Sequence, residues 1–217
     1  DGTFKLAIKN TDTYNSVVNV NWNVYSVSSS GVLDWDNSTW GGIAKYESLF
    51  NQDLNNDGGI GIEAALTSVA ADTTGARLKR DSENSLYIDK SGQIISVVDQ
   101  SGGAPRFDDS NSWQDGSTTI SWAQESVAVE EQSDGSFKLA VKNTNTWGSE
   151  SEVNWSVYSI SKDGLLDWSS SYFGGITKQE TYFAQDLNSD GGIGLSASLT
   201  PVSSDTTGAT LQRDSED

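Results

Sequence analysis

The chain repeats itself. Sliding the 217-residue sequence by 133 positions aligns residues 1–84 with 134–217 without a gap, and 52 of those 84 positions are identical. A sequence that returns at a fixed offset builds the same local structure twice, so the fold must hold two equivalent sets of elements. Phe4-Lys-Leu-Ala returns at Phe137, Asn21-Trp-x-Val-Tyr-Ser at Asn154, and Leu33-Asp-Trp at Leu166. Residues 85–133 have no counterpart. The expected division is therefore 1–84, the C-terminal portion of one unit incomplete at its N-terminus, and 85–217, a second, complete unit with the start of the next at its end. Asp1-Gly2 corresponds to the turn Asp134-Gly135, so the chain reads as a piece of a longer polypeptide.

Within the complete unit the pattern predicts hairpins. Leu86-Tyr-Ile-Asp turns at Lys90-Ser-Gly92 into Gln93-Ile-Ile-Ser-Val-Val. Ser126-Val-Ala-Val-Glu turns at Ser133-Asp-Gly135 into Ser136-Phe-Lys-Leu-Ala-Val-Lys. Val153-Asn-Trp-Ser-Val-Tyr-Ser-Ile turns at Lys162-Asp-Gly164 into Leu165-Leu-Asp-Trp. Each joins β-branched or aromatic runs across a glycine-containing turn. Phe137, Leu139 and Val141 alternate with Lys138 and Lys142, giving one buried and one wet face. The Ser-, Asp- and Gly-rich stretch 101–118 reads as a loop carrying Trp113. Residues 43–52 and 176–185 lack breakers and read as a short helix in each copy. The fold class is mainly β: antiparallel hairpin and meander modules in tandem, each with one short helix leading into an acidic loop.

That loop is Asp53-Leu-Asn-Asn-Asp-Gly-Gly-Ile-Gly61 and again Asp186-Leu-Asn-Ser-Asp-Gly-Gly-Ile-Gly194. Carboxylate, amide and carboxylate at positions 1, 3 and 5, a glycine at 6 for the sharp turn and a backbone carbonyl at 7 follow an EF-hand calcium loop. The expected ligands are Asp53, Asn55, Asp57 and Gly59, and Asp186, Asn188, Asp190 and Gly192, making two Ca²⁺ sites, one per repeat. An Asp-Gly turn is the plainer alternative for each loop. The acid expected at position 12 is replaced by Ala64 and Ala197. Glu47 and Glu180, six residues ahead of each loop, are candidates for the missing oxygen, against the rival role of a solvated helix glutamate. Asp72, Asp205, Asp81 and Asp214 are further candidates, each also readable as a turn or cap residue.

Composition narrows the function. Thirty-one acidic against 13 basic residues give a net charge of −18, which repels nucleic acid and offers no basic stripe for phosphates. There is no Cys and no His, so disulfides, thiolate metal sites and Ser-His or Cys-His nucleophile systems are excluded. Paired carboxylates could hydrolyse glycosides, but the doubled acidic cluster suits calcium better. The chain is expected not to be an enzyme. No apolar run approaches the length of a membrane span.

The assembled motifs resemble the tryptophan-rich C-terminal domain family of large secreted cyanobacterial and marine bacterial proteins. The resemblance rests on Val127-Ala-Val-Glu with Phe137-Lys-Leu-Ala-Val-Lys142, Trp155-x-Val-Tyr, Leu166-Asp-Trp168, and Glu180-x-x-Phe-x-Gln-Asp-Leu-Asn-x-Asp-Gly-Gly-Ile-Gly194. It implies an extracellular or cell-surface place, tandem arrangement and no catalysis. Neighbouring copies are the expected partners. Phe4-Lys-Leu-Ala lacks the hairpin partner that Phe137-Lys-Leu-Ala has, which leaves three options: the missing portion lies upstream, another chain donates strands head to tail into a filament, or residues 1–84 and the unmatched insert fold as one continuous solenoid. Trp22, Trp155, Trp35 and Trp168 are expected in the core. Tyr14, Trp40, Trp147 and Phe173 keep an aromatic side chain while changing identity between copies, and are candidates for surface contact. On them rests the alternative reading, a carbohydrate-binding adhesin that would take surface glycans as partners.

Overall fold

Most runs of alternating apolar and polar positions become antiparallel strands. A computed structural model describes residues 3–14, 17–62, 66–72, 75–195, 200–204, 207 and 209–213. The elements run β1 (Phe4–Tyr14), β2 (Val17–Val27), β3 (Leu33–Gly41), α1 (Ala44–Phe50), β4 (Thr67–Ala71), β5 (Ala76–Arg80), β6 (Leu86–Lys90) and β7 (Gln93–Ser96). They continue with β8 (Ser110–Asp115), β9 (Thr118–Glu131), β10 (Phe137–Trp147), β11 (Glu150–Ile160), β12 (Leu166–Gly174), α2 (Glu180–Phe183), β13 (Thr200–Ser204) and β14 (Thr210–Arg213). Neighbours in sequence pair as meanders in four sheets: β1-β2-β3, β4-β5-β6-β7, β12-β11-β10-β9-β8 and β13-β14. No helix among the described residues is long and apolar enough to cross a membrane.

The pairing registers of the matching strands coincide at the 133-residue offset. Phe4 faces Val27 as Phe137 faces Ile160, and Trp22 faces Gly41 as Trp155 faces Gly174. Both copies break register in the same place, between Val24 and Ser26 and between Val157 and Ser159. The bulge leaves residues 35–38 and 168–171 unpaired on an edge strand, where a side chain is turned away from the ladder. This corrects the expectation for two tryptophans. Trp22 and Trp155 are buried, whereas Trp35 and Trp168 are exposed on the bulged edge. The stretch 101–118 also differs from expectation, because β8 lies within it and pairs with β9 from Ser110–Ala123 to Asp115–Thr118. Trp113 is thus a strand residue.

The five-stranded sheet has two apolar faces. On one, Phe137, Leu139, Val141, Val129 and Tyr158 meet Leu78, Leu86 and Ile88 of the β4–β7 sheet, with Val97 and Phe107 closing the rim. On the other, Ala128, Ala140, Trp155 and Val157 meet Ile176 and Phe183 of the helical turn. Phe107, Tyr158 and Trp168 stack across the first layer, with ring centroids 5.0–5.7 Å apart. In the first copy the helix-side layer is present, as Trp22, Val24 and Ile43 packed with Tyr46, Phe50 and Leu54. The β4–β7 sheet draws strands from both sides of position 84, since β5 and β6 pair from Ala76–Lys90 to Arg80–Leu86.

A parallel contact ties the two sheets: the Val98 N–H donates to the Gly164 carbonyl at 2.9 Å, and the Leu166 N–H to the Val98 carbonyl at 2.8 Å. Gly164 is held at φ +90°, and a Cβ there would lie 2.1 Å from the Ser96 carbonyl oxygen. Its counterpart Gly31 has φ +84° and open space around it. Gly164→Ala should therefore cost clash as well as strain, about 3 kcal/mol or more, against roughly 1 kcal/mol for Gly31→Ala. Urea unfolding of the two variants checks this ordering.

Candidate metal centre

Each acidic loop starts where a short helix ends in a left-handed residue. Asn51 at φ 51° closes α1 and Ala184 at φ 50° closes α2. Within the loops, positive φ recurs at Asn56 and Ser189, Gly58 and Gly191, and Gly61 and Gly194. Gly58 has free space around it, so its φ of +99° is what calls for glycine there.

The side chains fold inward on the backbone. The Asp57 N–H donates to Asp53 Oδ1 at 3.2 Å and to Asn55 Oδ1 at 3.0 Å, Gly58 N–H to Asp53 Oδ2 at 3.1 Å, and Gly59 N–H to Asp57 Oδ1 at 3.1 Å. The second loop repeats every bond: Asp190 N–H to Asp186 Oδ1 at 3.2 Å and Asn188 Oδ1 at 3.1 Å, Gly191 N–H to Asp186 Oδ2 and Gly192 N–H to Asp190 Oδ1, both at 3.0 Å. The side chains at positions 1, 3 and 5 are thereby aimed at one another.

Glu47 and Glu180 are fully buried. Glu47 Oε1 accepts the N–H groups of Leu54 at 2.8 Å and Asn55 at 3.2 Å, and its Oε2 accepts that of Gly61 at 3.0 Å. Glu180 accepts Leu187 at 2.9 Å, Asn188 at 3.3 Å and Gly194 at 3.0 Å in the same way. A buried carboxylate is tolerated only when it is paired or hydrogen-bonded, and three amides meet that need. The glutamate therefore ties helix to loop at both ends of the loop, and the rival role of a solvated helix residue does not apply. One oxygen each from Glu47, Asp53 and Asp57 also lie within 4.8 Å of one another, a convergence found at the first loop. The carboxylate oxygens of Glu47, Asp53 and Asp57 are hard donors, a chemistry that suits calcium. Ala64 and Ala197 lie outside the described residues.

The other acidic candidates are occupied elsewhere. Asp72 accepts the Gly75 N–H across its turn and the Glu131 N–H at 3.3 Å. Asp81 is buried and accepts the N–H groups of Glu83 and Ser85 and the Tyr87 hydroxyl, each at 2.9 Å. Burial, together with this carboxylate, pushes the Tyr87 phenol well above its usual range. Asp205 and Asp214 lie outside the described residues.

A junction that sequence reasoning missed sits beside the first loop. Glu83 Oε2 accepts the Ile43 N–H at 2.7 Å, at the start of α1. Arg106 donates to the Val20 carbonyl at 2.7 Å and to Asn21 Oδ1 at 2.6 Å, with its guanidinium 6.0 Å from the Trp40 ring. Together they fasten the β1–β3 sheet to the following sandwich, around a cleft of about 240 Å³ lined by Lys9, Asn55, Ser82 and Asn84. The one available signal was the match of Glu83 with Glu216 at the repeat offset.

The aromatic candidates do not converge. Trp40, Trp147 and Phe173 are exposed, and the side chain of Tyr14 lies outside the described residues. Phe173 shares a cross-strand row with Val141, six residues from Trp147 along β10, roughly 20 Å away. Trp113 and Trp147 flank Ile120 in one row, roughly 10 Å apart. Comparison with protein-family models, with curated proteins and with solved structures gave no match.

Two predictions follow from the carboxylates. Glu180→Ala strands three backbone amides and should destabilise by about 3 kcal/mol or more, with Glu180→Gln intermediate because it keeps one acceptor. Chemical denaturation against Glu125→Gln, a surface control, measures both. Desolvation raises the pKa of Glu83 above its ordinary value, with Asp81 adding to the rise and the Ile43 N–H opposing it. The folded state thus holds this proton to higher pH than the unfolded chain. Stability from Glu83 is full below the ordinary glutamate range and is lost as pH rises through the raised value. Glu83→Gln should therefore raise the melting midpoint at neutral pH, with the gain over wild type shrinking as pH falls into that range.

Proposed function

We propose that the chain is a non-enzymatic, calcium-stabilised structural repeat of a long extracellular or cell-surface polypeptide, of the kind seen in the tryptophan-rich family it resembles. The observation that carries this reading is the doubled clasp: two acidic loops with one hydrogen-bond pattern, each tied to a helix by a fully buried glutamate. Side chains of Asp53, Asn55 and Asp57, and of Asp186, Asn188 and Asp190, would hold the ion with the carbonyls of Gly59 and Gly192. Glu47 and Glu180 set the loop around it, and at the first loop one Glu47 oxygen lies within 4.8 Å of oxygens of Asp53 and Asp57. When bound, the ion neutralises the mutual repulsion of these carboxylates; it supplies no reaction.

Extracellular modules with such loops bind calcium at roughly 10⁻⁴–10⁻³ M, a range that suits an exterior rich in calcium and not a cytoplasm. The acidic surface, with its net charge of −18, adds to the attraction for cations. The work of the module is mechanical: it spaces, stiffens and assembles, with neighbouring copies of itself as partners. Scanning calorimetry in 10 mM calcium and in EGTA tests the reading. A site with a dissociation constant near 10⁻⁴ M gains about 2.7 kcal/mol at a hundredfold excess, so the midpoint should rise by several degrees. Asp57→Asn combined with Asp190→Asn should remove most of that rise, and equal midpoints in both buffers would overturn the proposal.

A further inference from the structure

The β1–β3 and β10–β12 sheets carry nearly the same side chains in the same register, yet one apolar face is buried in one and open in the other. Phe137, Leu139 and Val141 are 1%, 0% and 0% exposed, whereas Phe4, Leu6 and Ile8 are 62%, 41% and 37% exposed. What covers the first triplet is defined: β5 and β6 bring Leu78, Leu86 and Ile88 over it, and β9 hydrogen-bonds along the whole of β10 with Val129 in the same core. Among the described residues nothing takes those places at the first triplet, and β1 is an edge whose one neighbour is β2. The opposite face of β1–β3 is packed beneath α1, so the openness is confined to one face and one edge. Two independent features agree. Among the described residues Gly31 has open space where Gly164 touches Ser96, and Trp35 stacks only on Tyr25, at 5.4 Å, where Trp168 meets both Tyr158 and Phe107.

We propose that this face and edge bind a polypeptide segment patterned like residues 67–131 of the same repeat. A β9-like strand adds antiparallel to β1, placing the counterpart of Val129 opposite Leu6 and that of Ala128 opposite Ala7, as in the β9–β10 pair. A β4–β7-like sheet then lies over Phe4, Leu6 and Ile8. Main-chain bonds supply the affinity and the alternate apolar pockets set the register. The far end of the chain shows the reciprocal half. Leu211 on β14 is 62% exposed, while its counterpart Leu78 on β5 is 0% exposed beneath a β6 partner that β14 lacks among the described residues. Leu6 and Leu211 thus both lack, among the described residues, the cover that their counterparts Leu139 and Leu78 have. The inference rests on reading the chain as part of a repeating polypeptide, and it names the partner of that reading.

Amide hydrogen exchange of an extended chain, with residues 67–133 placed directly before Asp1 in the phase of the repeat, tests the proposal against the 217-residue chain. Amides on the free edge of β1 should slow by about a hundredfold or more in the extended chain. Leu6→Asp with Ile8→Asp should abolish that slowing while leaving β10 protected, since β10 lies in a separate sandwich. Unchanged exchange in β1 would overturn the proposal. So would concentration-dependent protection of β1 in the 217-residue chain with dimers in sedimentation, which would assign the face to a second copy instead. Calcium dependence is read separately: a protected β1 with a melting midpoint indifferent to calcium would keep this inference and discard the calcium clasp.

Discussion

A β-sheet that is apolar on both sides must be covered on both sides, and that demand organises this molecule. Alternation along β10 sends Phe137, Leu139 and Val141 one way and Ala140 the other, so the strand can be satisfied only as the middle of three layers. The β4–β7 sheet supplies one cover and the helical turn before the acidic loop supplies the other. At roughly 25 cal/mol per Å² of apolar surface removed from water, each cover contributes far more than any single polar contact in the chain. The polar network at Asn143, which joins Gln124 at 2.8 Å and Ser156 at 3.0 Å, fixes register within that sandwich rather than driving it.

Electrostatics acts on a smaller scale and at one end of the helix-side layer. Burying Glu47 or Glu180 is expensive unless its charge is met, and the loop amides meet it. That arrangement makes the loop conformation and the helix position interdependent, since the carboxylate closes a ring through both ends of the loop. It also brings one Glu47 oxygen within 4.8 Å of oxygens of Asp53 and Asp57.

The hairpins were legible because their turns carry glycines that the chain needs in the left-handed region: Gly92, Gly135 and Gly164 all have φ between 80° and 90°. β8 was not, because Asn111-Ser-Trp-Gln has no apolar alternation and takes its register from the Asp115–Thr118 turn and from β9. The pairing of β5 with β6 was equally hidden. The repeat in the sequence marks 84 as an end, whereas hydrogen bonding runs straight across it. For the acidic loops, the spacing marked residues whose side chains accept the loop's own amides in both copies. It could not show that Glu47 is buried, because burial of a helix glutamate depends on what packs over it. The tryptophans show the same limit: the bulge that leaves Trp168 on an unpaired edge segment, packed on Phe107 and Tyr158 yet partly exposed, is set by strand pairing and leaves no mark in local composition.

The Ile43–Glu83 and Arg106–Val20 bonds join one sheet-and-helix unit to the sandwich that follows it. In a polypeptide built from such units, each would have its own folding free energy plus a coupling term to its neighbour, as in a one-dimensional lattice. Interior units then gain coupling from both sides and terminal ones from a single side. Such an array would fray from its ends inward, and its bending stiffness would follow from polar contacts of this kind at each joint rather than from a flexible linker.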